Sequence, residues 1–298
     1  MNTLKRTKNR YKERLSVGLG ISFGIGGVIL VGLILVGGPV GLIIGFMPGF
    51  FFATIGLIIT FFATAKDRQA YHEEYKRYFV RASLEKAFPG CLYSHNAGLS
   101  RGAIAATGMM NLGDSFSSND YVSGTFKNLN FAQADVHITE THTDSDGNRT
   151  TVTIFKGRYA IFEFKKKFNF RLEVVGKRFG AYQVPRGSSF KKFQKISTES
   201  AEFNKRFRVL AEDGFEAFYI LDPAFIERVQ KLGEEHKYSV ALFFVNNALH
   251  IAINDNSDSF EAPSPFKEID EKAEFEKVEN DIKLITNVVD SLRLEKES

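Results

Sequence analysis

The sequence predicts an α+β membrane protein: an N-terminal two-helix transmembrane hairpin, then a mainly antiparallel β domain with a C-terminal helix. Three observations lead to this fold class. Residues 15–65 contain no Asp, Glu, Lys, Arg or His. Segments of alternating polar and apolar residues follow, separated by turn residues. Apolar residues spaced by three and four then end the chain, as in an amphipathic helix.

The uncharged run divides into two helices of membrane length. A span needs about 20 apolar residues to cross about 30 Å of hydrocarbon, and residues 15–36 and 40–65 both reach that length. The Gly-Gly-Pro sequence at 37–39 favours a short turn between them. A phosphate-binding loop is excluded because the run has no lysine. A cleaved signal peptide is the alternative, but its apolar region should be only about 7–15 residues long.

The charges beside the hairpin predict its orientation. Residues 1–14 carry six basic residues against one acid, six more basic residues lie between 66 and 86, and the turn is uncharged. Because flanks rich in Lys and Arg stay on the cytoplasmic side, we expect a multi-pass protein of the inner (cytoplasmic) membrane with both termini in the cytoplasm. Residues 1–14 are then a basic cytoplasmic tail, residues 66–118 a helical connector, and residues 119–298 an α+β cytoplasmic domain.

Glycines recur within the spans at a spacing of four, at Gly20 and Gly24 and again at Gly41, Gly45 and Gly49. This spacing lets helix backbones approach closely. It favours packing of the two spans on each other or, alternatively, dimerisation of two hairpins. A pore is not supported, because no ionisable residue marks an ion path.

Beyond the membrane, the pattern predicts helices over 66–88 and 100–112 and then a series of strands. Asp146-Gly147 is a strong hairpin signal between two of them. A helix is expected from Asp222-Pro223 to about His236, since Asp is a good N-cap and Pro is favoured at the first position. The strand segments are 121–126, 131–140, 151–155, 159–164, a pair at 203–213 and 215–221, and a hairpin at 239–245 and 248–253 around Asn246-Asn247.

The chain ends in a helix predicted over residues 265–294. Val278, Ile282, Ile285, Val289 and Leu292 form a short heptad seam, which favours docking against the sheet or, alternatively, a free coiled coil. A weak linker is expected over 176–189, where glycine, proline and serine interrupt the pattern.

No motif identifies a catalytic, cofactor or metal site. The six histidines lack zinc-ligand spacing, and Cys91 is the single cysteine. Asp144–Arg149 resembles the start of a calcium loop, but Arg149 stands where glycine is required and Phe155 where a bidentate glutamate is required. We therefore expect no cofactor. An enzyme would be indicated by a deep pocket converging on His137, His250 or Glu216.

Charge asymmetry is the clearest chemical signal. Residues 165–195 carry ten basic residues against one acid, Glu173, a net charge of +9, whereas residues 255–298 carry 13 acids against six bases. Near an anionic membrane such cations favour contact with lipid head groups. The alternatives are solvated strand edges that lysine protects from aggregation, or pairing with the acidic C-terminal region; nucleic acid is not expected. The candidate lipid- or partner-binding residues are Lys165, Lys166, Lys167, Arg171, Lys191, Lys192 and Lys195.

Four ordered segments resemble the bacterial DUF3137 family, whose members are membrane proteins of unknown function. They are GTFKNLNFAQADVHITE (124–140), TIFKGRYAIFEFKKKF (153–168), FNKRFRVLAEDGFEAFYILDPAFIERVQKL (203–232) and VALFFVNNALHIAI (240–253). The similarity runs from Tyr121 to Ile253, and a preceding membrane hairpin is typical of the family. The resemblance implies no activity and no catalytic residues. It does suggest a LemA-like membrane protein as a partner, in addition to the second copy of the chain that the glycine spacing suggests.

Together these observations predict a membrane-anchored, cytoplasm-facing protein that acts as a non-enzymatic sensor, scaffold or adaptor at the inner leaflet. The alternative is an enzyme acting on lipid or envelope precursors.

Overall fold

The structure of the protein is a computed structural model that describes residues 1–165, 170–183 and 193–292, without the side chains of 37–46, 284–285 and 288–292. The chain divides into two compact units. The first unit comprises Met1–Ala82 and Glu261–Phe275, and the second comprises Ser83–Phe260 and Glu276–Ser298. The fold is α+β with an N-terminal apolar helix and a mainly antiparallel sheet, as the sequence predicts.

The first unit is helical. It contains α1 (Asn2–Ala63), α2 (Ala65–Tyr75) and a π-helical turn (Lys76–Val80). By length and composition, the segment Asn2–Val36 of α1 is able to cross a membrane, and Met47–Ala63 passes the same test only together with the helix that follows it across a 48° bend. One N-terminal helix is therefore a clear candidate for a span.

Two parts of α1 contact each other. Ser22 Oγ lies 3.4 Å from Thr60 Oγ1, although residues 38 positions apart in a straight helix would be separated by about 57 Å, at ~1.5 Å per residue. A Cβ atom on Gly26 would lie 2.7 Å from the carbonyl oxygen of Gly49. Residues 18–26 and 49–60 thus lie side by side, at a distance that only small residues allow.

The glycines that permit this contact are only partly those expected from the spacing of four. Gly18, Gly26, Gly49 and Gly56 are in close contact with the other part of α1, and of these only Gly49 belongs to the predicted set. Gly20 and Gly24 have no atom within 4 Å of the position of a Cβ. The face they share is open.

The basic tail predicted at 1–14 begins α1 and is packed against α2. Arg10 Nε and Arg14 Nη1 lie 2.7 and 2.9 Å from the carboxylate oxygens of Asp67, whose side chain is 6% exposed. The Tyr11 and Tyr71 rings are 6.3 Å apart. The two basic flanks of the apolar region therefore meet each other.

The first unit also includes the beginning of α8 (Glu271–Leu292). Tyr75 Oη donates to Glu274 Oε2 at 2.7 Å, and Tyr78 Oη donates to Glu271 Oε1 at 2.6 Å. Further along α8, Val278 and Ile282 are buried, as the docked form of this helix requires. The side chains of Ile285, Val289 and Leu292 lie outside the described residues.

The second unit is built on a nine-stranded sheet among the described residues, with strand order β1-β2-β3-β4-β9-β8-β5-β7-β6 and every pair antiparallel. The strands are β1 (Leu92–Ser94), β2 (Ser115–Phe126), β3 (Leu129–Thr143), β4 (Arg149–Glu163), β5 (Leu172–Gly176), β6 (Gln194–Ile196), β7 (Phe207–Ala211), β8 (Val240–Val245) and β9 (Ala248–Ile253). The helices are α3 (Arg81–Ala87, which begins in the first unit), α4 (Arg101–Ala105), α5 (Ala201–Arg206), α6 (Gly214–Ile220) and α7 (Pro223–Glu235).

Local signals place several of these elements correctly. Asp222 Oδ1 accepts the Phe225 backbone N–H at 2.6 Å and caps α7, and the β8–β9 hairpin turns at Asn246, whose φ is 56°. In the β3–β4 turn, the two Asp144 carboxylate oxygens accept hydrogen bonds from Asp146 and Asn148. This is the hairpin turn that the sequence favours over a calcium loop.

Other elements differ from the expectation. Residues 215–221, predicted as a strand, form α6 because Asp213 Oδ1 accepts the N–H groups of Phe215 and Glu216 and caps a helix. Only Arg101–Ala105 of the helix predicted at 100–112 is helical. The boundary predicted at 118/119 falls inside β2, and the predicted helical connector contains β1. The predicted linker begins at the end of β5, and its residues 184–189 lie outside the described residues.

The core of the second unit follows the period-two pattern of the strands. Ala134, Val136 and Ile138 of β3 point to one face and belong to one buried cluster with Tyr159 of β4 and Phe243 of β8.

Candidate lipid-contact surface at one end of the sheet

The strand register brings the flanks of the basic stretch to one end of the sheet. Glu163 at the end of β4 pairs with Ala248, and Leu172 at the start of β5 pairs with Phe244 and with Ala211 at the end of β7. Gln194 at the start of β6 also pairs with Ala211. The end of β4, the end of β7 and the starts of β5 and β6 therefore lie at the same end of the sheet, which we call the basic end.

Three of the seven predicted binding residues lie at the basic end and are described. Lys165 follows β4 and is exposed, Lys195 is exposed on β6, and Arg171 precedes β5 and is half-buried. The other four, Lys166, Lys167, Lys191 and Lys192, lie outside the described residues.

An exposed aromatic cluster projects from the same end. Helix α6 follows directly after β7, and Phe215, Phe218 and Tyr219 occupy positions i, i+3 and i+4, which share one face of a helix. They are 72%, 53% and 72% exposed, and the rings of Phe215 and Tyr219 are 5.5 Å apart. We call these three residues the aromatic ridge.

The aromatic ridge is unusual for this unit. Among the described residues of the second unit, the other exposed large apolar side chains are Leu92 and Val152, on two different strands. Isolated exposed apolar residues are normal, but a contiguous patch indicates a binding surface. The ridge was not predicted, because the aromatic pattern of residues 215–221 is typical of a strand. The Asp213 cap followed by aromatic residues at helical spacing is the signal that identifies it.

Acidic groups at the basic end are partly engaged with the backbone. Glu212 Oε2 accepts the Arg171 N–H at 3.2 Å, and Asp213 caps α6, whereas Glu163 and Glu216 are exposed. The described charges are therefore close to balanced. In the sequence, most of the net positive charge of residues 165–195 belongs to segments 166–169 and 184–192, which hold five basic residues and no acid and lie outside the described residues.

Glu173 is the one acid among residues 165–195, but it does not offset the positive charge of that stretch at the protein surface. It is fully buried on β5, and Tyr182 Oη donates to its Oε2 at 2.6 Å. Burial raises the pKa of Glu173 to about 7, so a large share of this carboxyl is neutral at physiological pH. The Arg208 guanidinium lies 5.5 Å from the centre of the Tyr182 ring.

The residues singled out for an enzyme are not brought together. His137 is exposed on β3 and pairs with Lys156, whereas His250 pairs with Ile161 five residues further along β4, about 17 Å at ~3.3 Å per residue. The ring nitrogen Nδ1 of His250 lies 3.1 Å from the Tyr159 hydroxyl, and burial lowers its pKa to about 4. This histidine is therefore neutral and internal. The third residue, Glu216, is on α6.

Comparison with known proteins agrees with the resemblance drawn from the sequence. Residues 153–294 match the family described as "Protein of unknown function (DUF3137)", a range that starts in β4 and extends through α8. No curated relative matches the chain. A solved structure, that of the mycobacterial trehalose monomycolate transport factor A, TtfA, is similar with a TM-score of 0.40 and 10% identity, covering 75% of this chain and 94% of that one. This match over residues 153–294 supports membership of the DUF3137 family, as the sequence resemblance predicts.

Proposed function

We propose that this protein is a membrane-anchored, non-enzymatic scaffold, sensor or adaptor, and that its second unit contacts anionic lipid through the basic end of the sheet. The observation that carries the proposal is the position of the aromatic ridge, which emerges from the same end as Lys165, Arg171 and Lys195. Phe and Tyr favour the interface of a bilayer, and each cation near an anionic surface contributes about 1 kcal/mol. Apolar and cationic groups at one end of the sheet give a membrane surface two kinds of contact.

The anchor is proposed to be a transmembrane hairpin with both termini in the cytoplasm. Two features support it. Residues 18–26 and 49–60 of α1 lie side by side, and the two basic flanks meet where Arg10 and Arg14 pair with Asp67. Since both flanks are rich in Lys and Arg, we expect both on the cytoplasmic face of the inner membrane.

The hairpin makes a direct prediction about cysteine cross-linking. In a Cys91→Ser background, Ser22→Cys with Thr60→Cys is expected to form an intramolecular disulfide on mild oxidation, because the two side-chain oxygens are 3.4 Å apart. The measurement is migration of the membrane-embedded chain on a non-reducing gel at several protein concentrations. The control pairs Ser22→Cys with Phe61→Cys, one residue further along. Cross-linked dimers alone, or equal reaction of both pairs, would contradict the hairpin.

Lipid contact is tested on the full chain in proteoliposomes. In the Cys91→Ser background, a fluorescent label on Tyr219→Cys is expected to be quenched by lipid carrying a nitroxide near its head group, and more strongly when the vesicles contain phosphatidylglycerol. The matched control is a label on Ser145→Cys, which is exposed in the β3–β4 turn at the opposite end of the sheet. Equal quenching at both positions would overturn the proposed contact.

The partner candidates are a second copy of the chain and a LemA-like membrane protein. The open face at Gly20 and Gly24 is compatible with close approach of another apolar helix.

Enzymatic action on lipid or envelope precursors is the less favoured function, because His137, His250 and Glu216 do not converge.

A further inference from the structure

A cavity of about 600 Å³, lined by polar and charged residues, lies in the second unit at the end of the sheet opposite the basic end. It opens where β9 ends and β8 begins, since Ile253 pairs with Val240. Its volume is in the range of small-molecule sites. The residues that line it include Lys156, Arg178, His236, Lys237, Ser239 and Asp255.

Three cations face this cavity from three separate elements. Lys156 is on β4, Arg178 is in the turn after β5, and Lys237 follows α7. Within the part of the chain that the structure describes, none of the three forms an ion pair with a carboxylate. Cations without acidic partners that converge on one cavity favour an anionic ligand.

Asp255, an acid that lines the cavity with its side chain 23% exposed, does not neutralise these cations because it is already paired. Asp255 Oδ2 lies 3.4 Å from Arg158 Nη2 and 3.7 Å from His236 Nδ1, and its Oδ1 accepts the Ser257 N–H at 3.0 Å. Burial alone would raise the pKa of Asp255, but the hydrogen bonds of His236 and Ser257 and the charge of Arg158 hold it well below its usual range. Of the other groups that line the cavity, the exposed Glu235 is the one further acid.

At the C-terminus of α7, the negative end of the helix dipole, backbone N–H groups of the following residues donate to helix carbonyls. The N–H groups of His236, Lys237 and Tyr238 donate to the carbonyl oxygens of Leu232, Glu234 and Gly233. Lys237 and Tyr238 adopt left-handed φ values of 53° and 61° to do so, a conformation that side chains disfavour. Three of the carbonyls in the last turn of α7 therefore already accept hydrogen bonds.

Hydrogen bonds join two segments that line the cavity, the turn after β5 and the segment after α7. The Arg178 N–H donates to the Tyr238 carbonyl at 3.3 Å, and Ser239 Oγ donates to the Arg178 carbonyl at 3.2 Å. This approach requires a glycine at 176, because a Cβ there would lie 2.3 Å from the Tyr238 carbonyl oxygen. Arg178 and Lys237 are thus held beside each other before any ligand arrives, which lowers the entropy lost on binding.

We propose that this cavity binds a phosphate group, carried either by a small soluble molecule or by a lipid head group. Arginine presents a planar fork that matches phosphate oxygens, and lysine adds point charges that hold the same group. The inference does not depend on the proposed lipid contact at the basic end, which uses other residues at the opposite end of the sheet.

The test uses the full chain in nanodiscs of neutral lipid, with phenyl phosphate as the probe in calorimetric titration. Lys156→Gln with Lys237→Gln is expected to weaken binding at least tenfold, about 1.4 kcal/mol, as is Arg178→Gln alone, which changes only an exposed turn residue. The matched control is Lys205→Gln with Lys231→Gln, two exposed lysines outside the cavity, and it should shift the affinity less than about twofold. No saturable binding by the parent, or equal weakening by cavity and control variants, would overturn the proposal.

Two further arms identify the source of the phosphate. If phenyl phosphate binds equally in neutral nanodiscs and in nanodiscs with phosphatidylglycerol, the site takes a soluble ligand. If phosphatidylglycerol abolishes the binding of phenyl phosphate to the parent, the head group occupies the same site. Both results support a phosphate site, whereas equal binding of phenyl phosphate and of its uncharged analogue phenol would reject it.

Discussion

Replacing Lys165, Lys166, Lys167, Lys191 and Lys192 with glutamine is expected to lower binding to vesicles containing phosphatidylglycerol by well over tenfold. The experiment uses the chain from Asp67 onward, so that α1 does not anchor it. Five cations at an anionic surface are nominally worth ~5 kcal/mol. We expect about half of that loss, which corresponds to contact of two or three of the five cations with the surface. The measurement is co-sedimentation, with circular dichroism to show that parent and variant are equally folded.

The aromatic ridge separates the apolar part of this contact from the electrostatic part. Cationic contacts act within a Debye length of about 8–10 Å, so they weaken steeply with salt, whereas burial of Phe does not. Phe215→Ser with Phe218→Ser is therefore expected to lower the binding that remains at high salt, by about tenfold, since each fully buried Phe is worth about 1.5–3 kcal/mol. The matched control is Leu92→Ser with Val152→Ser, exposed apolar residues outside the ridge.

Two results would contradict lipid contact and favour the alternative, in which these lysines are solvated and protect strand edges from aggregation. One is equal pelleting with neutral and anionic vesicles. The other is unchanged pelleting of the five-lysine variant. Loss of binding in the control variant as well would show that the aromatic ridge has no special part in the contact.

Features that depend on local chemistry could be predicted from the sequence. The Asp222 cap with Pro223 behind it, the Asn246 turn and the Asp144 turn each rest on hydrogen bonds or φ values set within a few residues. The apolar run also needs no tertiary information, since its length and lack of charge suffice.

The sequence-based predictions were wrong where a helix cap outweighed the strand preference of the residues, and where an element was too short to show a clear hydrophobic pattern. Aromatic residues favour strands, but the Asp213 cap makes 214–220 a helix. Strand β5 has five residues and all are buried; it lies within the basic stretch and carries Glu173, which hides the apolar pattern. In α1, the close contacts involve Gly26 and Gly49, which are paired by the fold and not by sequence spacing.

The candidate sites also differ in whether they depend on residues that are contiguous in the sequence or on residues that the fold brings together. The basic stretch is visible in the sequence because its charges are contiguous. The cavity was not predictable, since Lys156, Arg178 and Lys237 are far apart in sequence and come together only through the pairing of β4, β9, β8 and β5. The aromatic ridge is contiguous, yet its exposure depends on α6 being a helix that projects from the sheet.

Asp135→Asn is expected to flatten the pH dependence of stability. Asp135 on β3 is 4% exposed and accepts the Ser259 N–H at 2.5 Å and the Ser259 hydroxyl at 2.9 Å. Burial raises its pKa to about 8, with the nearby carboxyls of Asp120 and Asp258 acting in the same direction, although the Ser259 hydrogen bonds oppose the shift. The ordinary pKa of the group is 3.8.

The sign follows from proton binding in the two states. Between about pH 4 and pH 8 the unfolded chain has released the Asp135 proton while the folded protein keeps it, so the free energy of unfolding falls as the pH rises. The stabilising contribution is complete below pH 3.8 and is lost as the pH passes 8. One pKa unit corresponds to about 1.4 kcal/mol, and we expect the parent to lose at least that much between pH 5 and pH 8 through this residue.

Asparagine keeps the site neutral at every pH and retains an oxygen that accepts the Ser259 N–H. Urea unfolding of the chain from Asp67 onward at pH 5 and pH 8 is therefore expected to show a smaller difference in the variant than in the parent. The parent-minus-variant difference decides the matter, because the buried Glu173, with its pKa raised to about 7, adds a slope of the same sign to both proteins. Asp146→Asn in the exposed β3–β4 turn is the control and should leave the parent's slope intact. If Asp135→Asn also leaves it intact, the carboxyl of Asp135 is ionised in the folded protein, and Asp120, Asp258 and Ser259 must then surround a buried negative charge.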